Sequence, residues 1–434
     1  LTLAHRLLFG LLFVCALVHV PSLGGGFVWD DLILLRDRPT AHRVDTALPE
    51  ALSDFFPATL SAPGGGYLRP LPVLVNAVTW QLTEGAPLAF RLTNLLVHLA
   101  NVALVFGLGR RLGLSTVAAA LGAATFGLHP ALTEAVDFIS GRTDLFAAFF
   151  CLLAAHGVVA GTRWGSLGAL LAFCLALGSK EVALGALPAL CLLAAPGRHR
   201  RTVGLALGAV AVAVIAGRLL ADVEGPALRL VDPADRPVAV PNLTAFYAAL
   251  AVLPIDLRAV YALPDLPHFG FDTIVGIVLL VGGAALVWRG RGVARWGTLL
   301  ALGTLLPVLH LVPISTLVAP RYLYVPLVGL GLVVAALWDR LRPPARLGLA
   351  LPPLLGLALT PLRAADWQTE STLWTAELQA DPDSFVAHQN LGATCAEAGD
   401  LPCARRHFTE ALRQRPGSDV LRRNLERLER LGDR

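Results

Sequence analysis

Two adjacent carboxylates, Asp30 and Asp31, follow the first apolar run of the chain, in the stretch GGGFVWDDLILLRD. A carboxylate held at a membrane surface can accept the proton of an attacking hydroxyl as a general base. A structural role competes with this: Asp30 would cap a short interfacial helix starting at Leu32. Other ionisable residues recur beside apolar runs. Arg69 stands in YLRPL, His129 and Glu134 in HPALTEAV, and Arg142 and Asp144 in SGRTDL. Lys180 and Glu181 close a short hairpin, and Arg321 and Tyr322 open an apolar run in PRYLYVP. Guanidinium matches phosphate bidentately, so these arginines are candidates for holding a phosphate. The alternative is that they pair with Asp30, Glu134 or Asp144. Lys180 is the single lysine among 35 Lys and Arg residues, which hints that an ammonium is needed at that position. No HExxH, Walker or CxxC pattern occurs, so neither a metal protease nor an ATP-driven pump is indicated. No metal and no cofactor are expected.

The elements that must position these residues are membrane helices. The chain has 434 residues, of which 55% are hydrophobic and 15% charged, with a mean hydropathy of +0.65. About 25% charged residues is usual in a soluble domain, so this chain lacks the polar side chains to cover a water-facing surface. Its net charge of +4 is spread over short clusters between apolar runs and forms no basic patch, which argues against nucleic acid as a partner. Apolar runs fall near 7–23, 88–109, 117–136, 144–161, 165–178, 182–195, 202–220, 271–288, 297–314, 322–338 and 346–362, giving about eleven spans. The pair within 165–195 is short and reads as two tilted spans or a re-entrant hairpin. Residues 1–24 are expected to be a retained first span. His98 reads as an interhelical hydrogen-bonding residue, and His5 and His19 as interfacial.

Arginine clusters at Arg110–Arg111, Arg163, Arg198 to Arg201, Arg289 to Arg295 and Arg340 to Arg346 fall in alternate loops. The positive-inside rule then places the N-terminus in the cytoplasm of a plasma (inner) membrane protein. Loops 24–87, 137–143, 180–181, 221–270 and 315–321 and the C-terminus lie outside. Arg69, Arg142 and Arg321 run against that charge bias and need a reason to be there. Segments 67–83 and 242–262 are apolar but interrupted by proline and charge, as interfacial segments are.

Beyond Pro361 the composition turns polar. Leu391, Gly392, Ala404, Phe408, Ala411 and Pro416 have tetratricopeptide spacing, and Pro382 stands one 34-residue repeat before Pro416. One repeat with flanking halves is too little to stand alone, so it should pack on the outer face of the membrane domain or on a partner. Cys395 and Cys403 fall on its two helices, and their pairing stays open at this point.

In order, FVWDD, YLRPL, FRLTNLLVHLANVALVF, HPALTEAVDFISGRTDL, GSKE and RYLYVPLVG resemble the transmembrane-and-tetratricopeptide-repeat family of mannosyltransferases and its bacterial relatives, within the GT-C superfamily. DWQTESTLWTAELQADPDSFVAHQNLG resembles that family's junction into its repeats. The resemblance implies an all-α polytopic GT-C domain over 1–363, with 24–87 as the acidic outer loop, and an extracytoplasmic tetratricopeptide-like domain over 364–434. It implies inverting transfer of a sugar, mannose or similar, from a polyprenyl-phosphate donor to a hydroxyl. Asp30 would be the base and Asp31 would orient it or the acceptor. Arg69, Arg142, Lys180 and Arg321 would hold the donor phosphate, while His129, Glu134, Asp144, Glu181 and Tyr322 would line the pocket. The short repeat array leaves a protein, glycan or lipid acceptor open. The competing function is a membrane-anchored scaffold that recruits partners without catalysis.

Overall fold

The computed structural model describes residues 2–52, 55, 67–194, 196–220, 230–261, 268–311 and 314–432. Regular structure among them is helical throughout, with no strand. Lipid imposes this, because a spanning segment must satisfy its own backbone N–H and C=O groups. Seven helices among the described residues are long and apolar enough to cross a bilayer: Leu3–Leu23, Pro87–Arg111, Ile139–Ala160, His199–Leu219, Phe271–Arg289, Pro320–Arg340 and Leu347–Asp366. The other four expected spans also become apolar helices, but shorter ones: Thr116–Gly127, Arg163–Leu177, Glu181–Leu193 and Gly292–Val308.

The run expected over 117–136 is therefore not one span. Its helix stops at Gly127, and Pro130 opens a separate turn, Pro130–Leu132. Proline has no N–H to donate and disfavours the helical conformation of the residue before it, so His129 is extended and the chain turns there. This break puts Glu134 and Asp137 at one end of the bundle.

Close backbone contact holds the helices together. A Cβ on Gly122 would lie 2.5 Å from the carbonyl oxygen of Gly331, and one on Gly297 would lie 2.5 Å from that of Gly329. Small residues at such crossings let helices approach where lipid offers no hydrophobic drive. Within the bundle His98 Nδ1 lies 2.7 Å from the Tyr324 hydroxyl and its Nε2 lies 3.0 Å from the Gly127 carbonyl, which is the interhelical role expected of it. His19, expected at the interface, lies near the end of Leu3–Leu23 that meets the loop 137–143. It is buried within the protein, with Nδ1 2.9 Å from Asp137 Oδ2, which gives that buried carboxylate a partner.

The loops segregate to two ends. At one end the arginine-rich loops join: Arg340 donates to the Arg291 carbonyl at 3.3 Å, and the Ser115 N–H donates to Asp339 at 2.8 Å. At the other end the first loop, residues 137–143, Lys180–Glu181 and the segment before Tyr322 converge on one cavity. The segment 67–83 supplies the helix Pro70–Thr83 at that end, and 242–262 lies partly in Arg236–Val252, which packs along Phe271–Arg289.

After Trp367 come the helices Glu370–Ala380, Phe385–Glu397, Leu401–Gln414 and Asp419–Gly432. A Cβ on Gly392 would lie 2.5 Å from the Phe408 ring, so only glycine fits where these two helices meet. Cys395 and Cys403 are joined as a disulfide. The first two of these helices sit on the loop end of the bundle: Trp367, Leu373, Trp374, Ala387 and Leu391 share one buried cluster with Val28, Phe138 and Ala259.

Candidate functional site

The first loop is anchored before it reaches Asp30. Gly25 crosses the backbone of Gln368 so closely that a Cβ would lie 2.4 Å from its carbonyl oxygen, and the Gly26 N–H donates to the same oxygen at 2.9 Å. The buried Arg91 guanidinium donates to three carbonyls, those of Asp137 and Gly26 at 2.6 Å and that of Trp367 at 2.8 Å. One side chain thus fixes the first loop, the turn after Val136 and the start of the C-terminal helices.

The two aspartates part company here. Asp31 is fully buried and accepts from the Ser140 N–H at 2.8 Å, the Ser140 hydroxyl at 2.5 Å and the Val28 N–H at 3.1 Å. It opens the turn Leu32–Arg36 but makes no side-chain cap there, and Asp30 is not the cap either. Asp30 instead lines the cavity. Burial is the main cause that pushes its carboxyl up to about 6; the Glu134 and Glu370 carboxylates add to the rise and the Arg321 guanidinium opposes it.

Three cations line the same cavity: Arg69, Lys180 and Arg321. Each is backed by a carboxylate. Arg69 lies 3.1 Å from Glu181, which also pairs with Arg218 at 2.9 Å. Lys180 Nζ lies 2.6 Å from Asp144, and the Arg321 guanidinium bonds Glu134, whose other oxygen accepts the Arg321 N–H at 3.0 Å. Aromatic faces complete the setting: Arg69 lies over the Tyr67 ring at 4.5 Å and Lys180 over Tyr322 at 4.7 Å. Burial depresses Lys180 to about 8 despite the Asp144 charge. The pairing alternative raised for the arginines therefore holds for Arg321, which pairs with Glu134 yet still lines the cavity. Glu134, Asp144 and Glu181 act behind these cations and not on the cavity wall. Such an arrangement can take an anion while keeping its cations oriented.

Two expected cavity residues are committed elsewhere. Arg142 is buried and donates to Asn76 at 2.7 Å, Asn94 at 3.1 Å and the Phe90 carbonyl at 3.0 Å, which leaves its guanidinium pinning helices together and not on the cavity. Arg142→Ala is expected to lower stability by about 3 kcal/mol or more, since hydrogen bonds to a buried charge are lost together. A fall in the unfolding midpoint in detergent, with unchanged anion affinity per folded molecule, checks this. His129 is likewise buried, with Nε2 3.1 Å from the Ala251 carbonyl and Nδ1 accepting the Ala131 N–H. Burial lowers it to about 4, so it is neutral and serves the turn.

Tyr67, Ser315 and Thr316 also line the cavity and were not singled out from sequence. The Ser315 N–H donates to the Tyr67 hydroxyl at 2.9 Å, which ties the loop before Arg321 to the one carrying Arg69. Their sequence signal is weak, but Arg91 has the same one as Arg69: a guanidinium on the arginine-poor side of a span.

No family model matches the chain. Its curated relatives are informative. A protein O-mannosyl-transferase of Caenorhabditis elegans is 25% identical over 430 residues, covering 92% of this chain and 61% of that one. The chain is similar to TMTC-type protein O-mannosyl-transferases. Human TMTC3 is 24% identical, covering 91% of this chain and 50% of its own length, and Drosophila melanogaster Tmtc1 is 35% identical over 42% of this chain and 22% of its own. The chain thus spans 61% of the length of the Caenorhabditis elegans relative and 50% of that of human TMTC3. Among solved structures, ArnT from Cupriavidus metallidurans bound to undecaprenyl phosphate is 17% identical, with a TM-score of 0.42, covering 93% of this chain and 75% of that one.

Proposed function

We propose that this chain is an integral-membrane glycosyltransferase of the GT-C type that moves mannose or a similar sugar from a polyprenyl-phosphate donor to a hydroxyl. The observation that carries this reading is that one carboxylate, Asp30, shares a cavity with Arg69, Lys180 and Arg321. The cations suit the donor phosphate, and the carboxylate suits the acceptor. The similarity to protein O-mannosyl-transferases supports the same class of transfer.

In this mechanism Asp30 takes the proton of the acceptor hydroxyl as its oxygen bonds to the anomeric carbon. The bond from that carbon to the phosphate oxygen breaks, and its electron pair leaves with the phosphate. Arg69, Lys180 and Arg321 stabilise the charge that grows there. Attack opposite the leaving group inverts the anomeric centre. Asp31 holds the loop that presents Asp30, through Ser140 and Val28.

The arginine-rich end would face the cytoplasm by the positive-inside rule, which puts the cavity and the C-terminal helices outside. A disulfide between Cys395 and Cys403 suits that oxidising side. Nucleotide sugars are absent there, whereas a lipid-phosphate donor reaches the cavity from within the bilayer. The acceptor, a glycan, lipid or protein, would dock beside the C-terminal helices, which read as a tetratricopeptide-type unit.

The test is transfer of radiolabelled sugar from polyprenyl-phosphate donors into host envelope material by the full chain. Label must appear in the envelope; none from any donor would favour the scaffold function. Its pH profile adds a second check. The base must be ionised, so the rate falls as pH drops through about 6, where Asp30 gains its proton. Lys180 must stay charged, so the rate also falls as pH rises through about 8. A bell-shaped profile with limbs near those values is expected, and a flat profile across them would count against both roles.

A further inference from the structure

Trp29, immediately before Asp30, has a left-handed backbone with φ +53°. Bulky residues rarely adopt that region, at a cost of about 1–3 kcal/mol, and hold it only where the surroundings impose it. Here the imposing group lies 341 residues away. The Trp29 N–H donates to Glu370 Oε1, and the other oxygen of the same carboxylate accepts the indole N–H of Trp374 at 2.9 Å. The Trp29 ring is packed by Phe138, stacked at 5.8 Å, and by Trp374, edge-on at 5.4 Å. Glu370 is the first residue of the helix Glu370–Ala380, whose N-cap is Thr369, so its carboxylate also sits where a helix favours negative charge.

We propose that Glu370 is a positioning residue for Asp30: through the Trp29 N–H the C-terminal helices hold the base at its place in the cavity. The proposal rests on the reading of Asp30 as the base. It gives the C-terminal segment a part in the transfer itself, beyond docking an acceptor. Residues that face Asp30 electrostatically are Arg321, Glu134 and Glu370, with Arg69 and Lys180 on the cavity wall. Around Glu370 stand Arg36 of the first loop and Glu397 of the helix Phe385–Glu397, with Arg36 and Glu397 3.7 Å apart. A carboxylate at Glu370 thus both fixes the backbone before Asp30 and adds negative charge near it.

The test uses the full chain in lipid nanodiscs, with Glu370→Gln, Glu370→Ala and Trp374→Phe. Trp374→Phe keeps an aromatic side chain and removes the N–H that orients Glu370 together with part of a buried ring, so the amount of folded protein is measured beside each variant. Two readouts are taken. One is kcat and KM for polyprenyl-phosphate mannose. The other is the infrared carboxyl titration of Asp30, obtained as the difference from Asp30→Asn, which needs no turnover. Expected are a kcat about 10- to 100-fold lower in Glu370→Ala with little change in KM, and a smaller fall in Trp374→Phe. In Glu370→Gln the Asp30 titration and the acid limb of kcat should both move to lower pH, because a neighbouring negative charge is gone. Unchanged kcat and unchanged titration in a wild type that transfers would overturn the proposal alone. So would losses that merely track the amount of folded protein. If wild type transfers nothing but the titration still moves, the base role fails while the coupling of Glu370 to Asp30 stands.

Discussion

Asp30→Asn should cut transfer by about 10²- to 10⁴-fold, the usual range for a positioned general base. Asparagine has the shape of the carboxyl group but cannot take a proton. Asp30 also contributes negative charge to a cavity that would hold a phosphate between Arg69, Lys180 and Arg321. Removing that charge should leave donor affinity unchanged or slightly tighter, so the loss falls on kcat. Membrane insertion should not change, because the first loop is anchored by Arg91, Asp31 and Gln368 and not by Asp30. Equal transfer by wild type and variant, measured at saturating donor, would remove Asp30 from the chemistry.

Replacing Arg321 should be the most damaging change among the three cations, for two separable reasons. Glu134 is 1% exposed and receives both the guanidinium and the main-chain N–H of Arg321. Arg321→Gln leaves that carboxylate buried without its counter-charge, a loss of about 3–5 kcal/mol. It also takes one cation from the cavity wall. Adding Glu134→Gln removes the stranded charge, so the double variant should recover much of the lost stability. It should not recover transfer if Arg321 holds the donor phosphate, because the cavity wall still lacks that cation. Unfolding midpoints and donor affinities for the wild type, the two single variants and the double variant form a cycle that separates the effects. Recovery of transfer together with stability would mean that Arg321 serves the fold alone.

The helical, membrane-embedded character of this chain was legible because apolar runs and arginine clusters report on solvent, and solvent acts residue by residue. All eleven apolar runs become helices, although four fall short of a full span. The break at Pro130 shows where run length misleads: hydropathy continues through 128–136, but the backbone cannot. Side-chain partners were less legible. His19 meets Asp137 across 118 residues, and Arg142 meets Asn76 across 66. Nothing local in the sequence distinguishes Arg142, which braces helices, from Arg69 and Arg321, which line the cavity. All three break the same charge rule, and only packing sorts them. The adjacent aspartates behave alike. Burial raises both carboxyls to about 6, but Asp31 is held by Ser140 and Val28 while Asp30 lines the cavity. The tie from Trp29 to Glu370 had no local signal at all, because it joins the first loop to the C-terminal helices.

The most direct test of the central claim is the anomeric configuration of the product. Purified full-length chain in nanodiscs would be given polyprenyl-phosphate mannose of known configuration and a hydroxyl acceptor, and the linkage read by NMR. Transfer with inversion, lost in Asp30→Asn, is the predicted result, since one displacement with Asp30 as base allows no other outcome. Retention of configuration would contradict it, because retention requires a covalent sugar intermediate or a different geometry of attack.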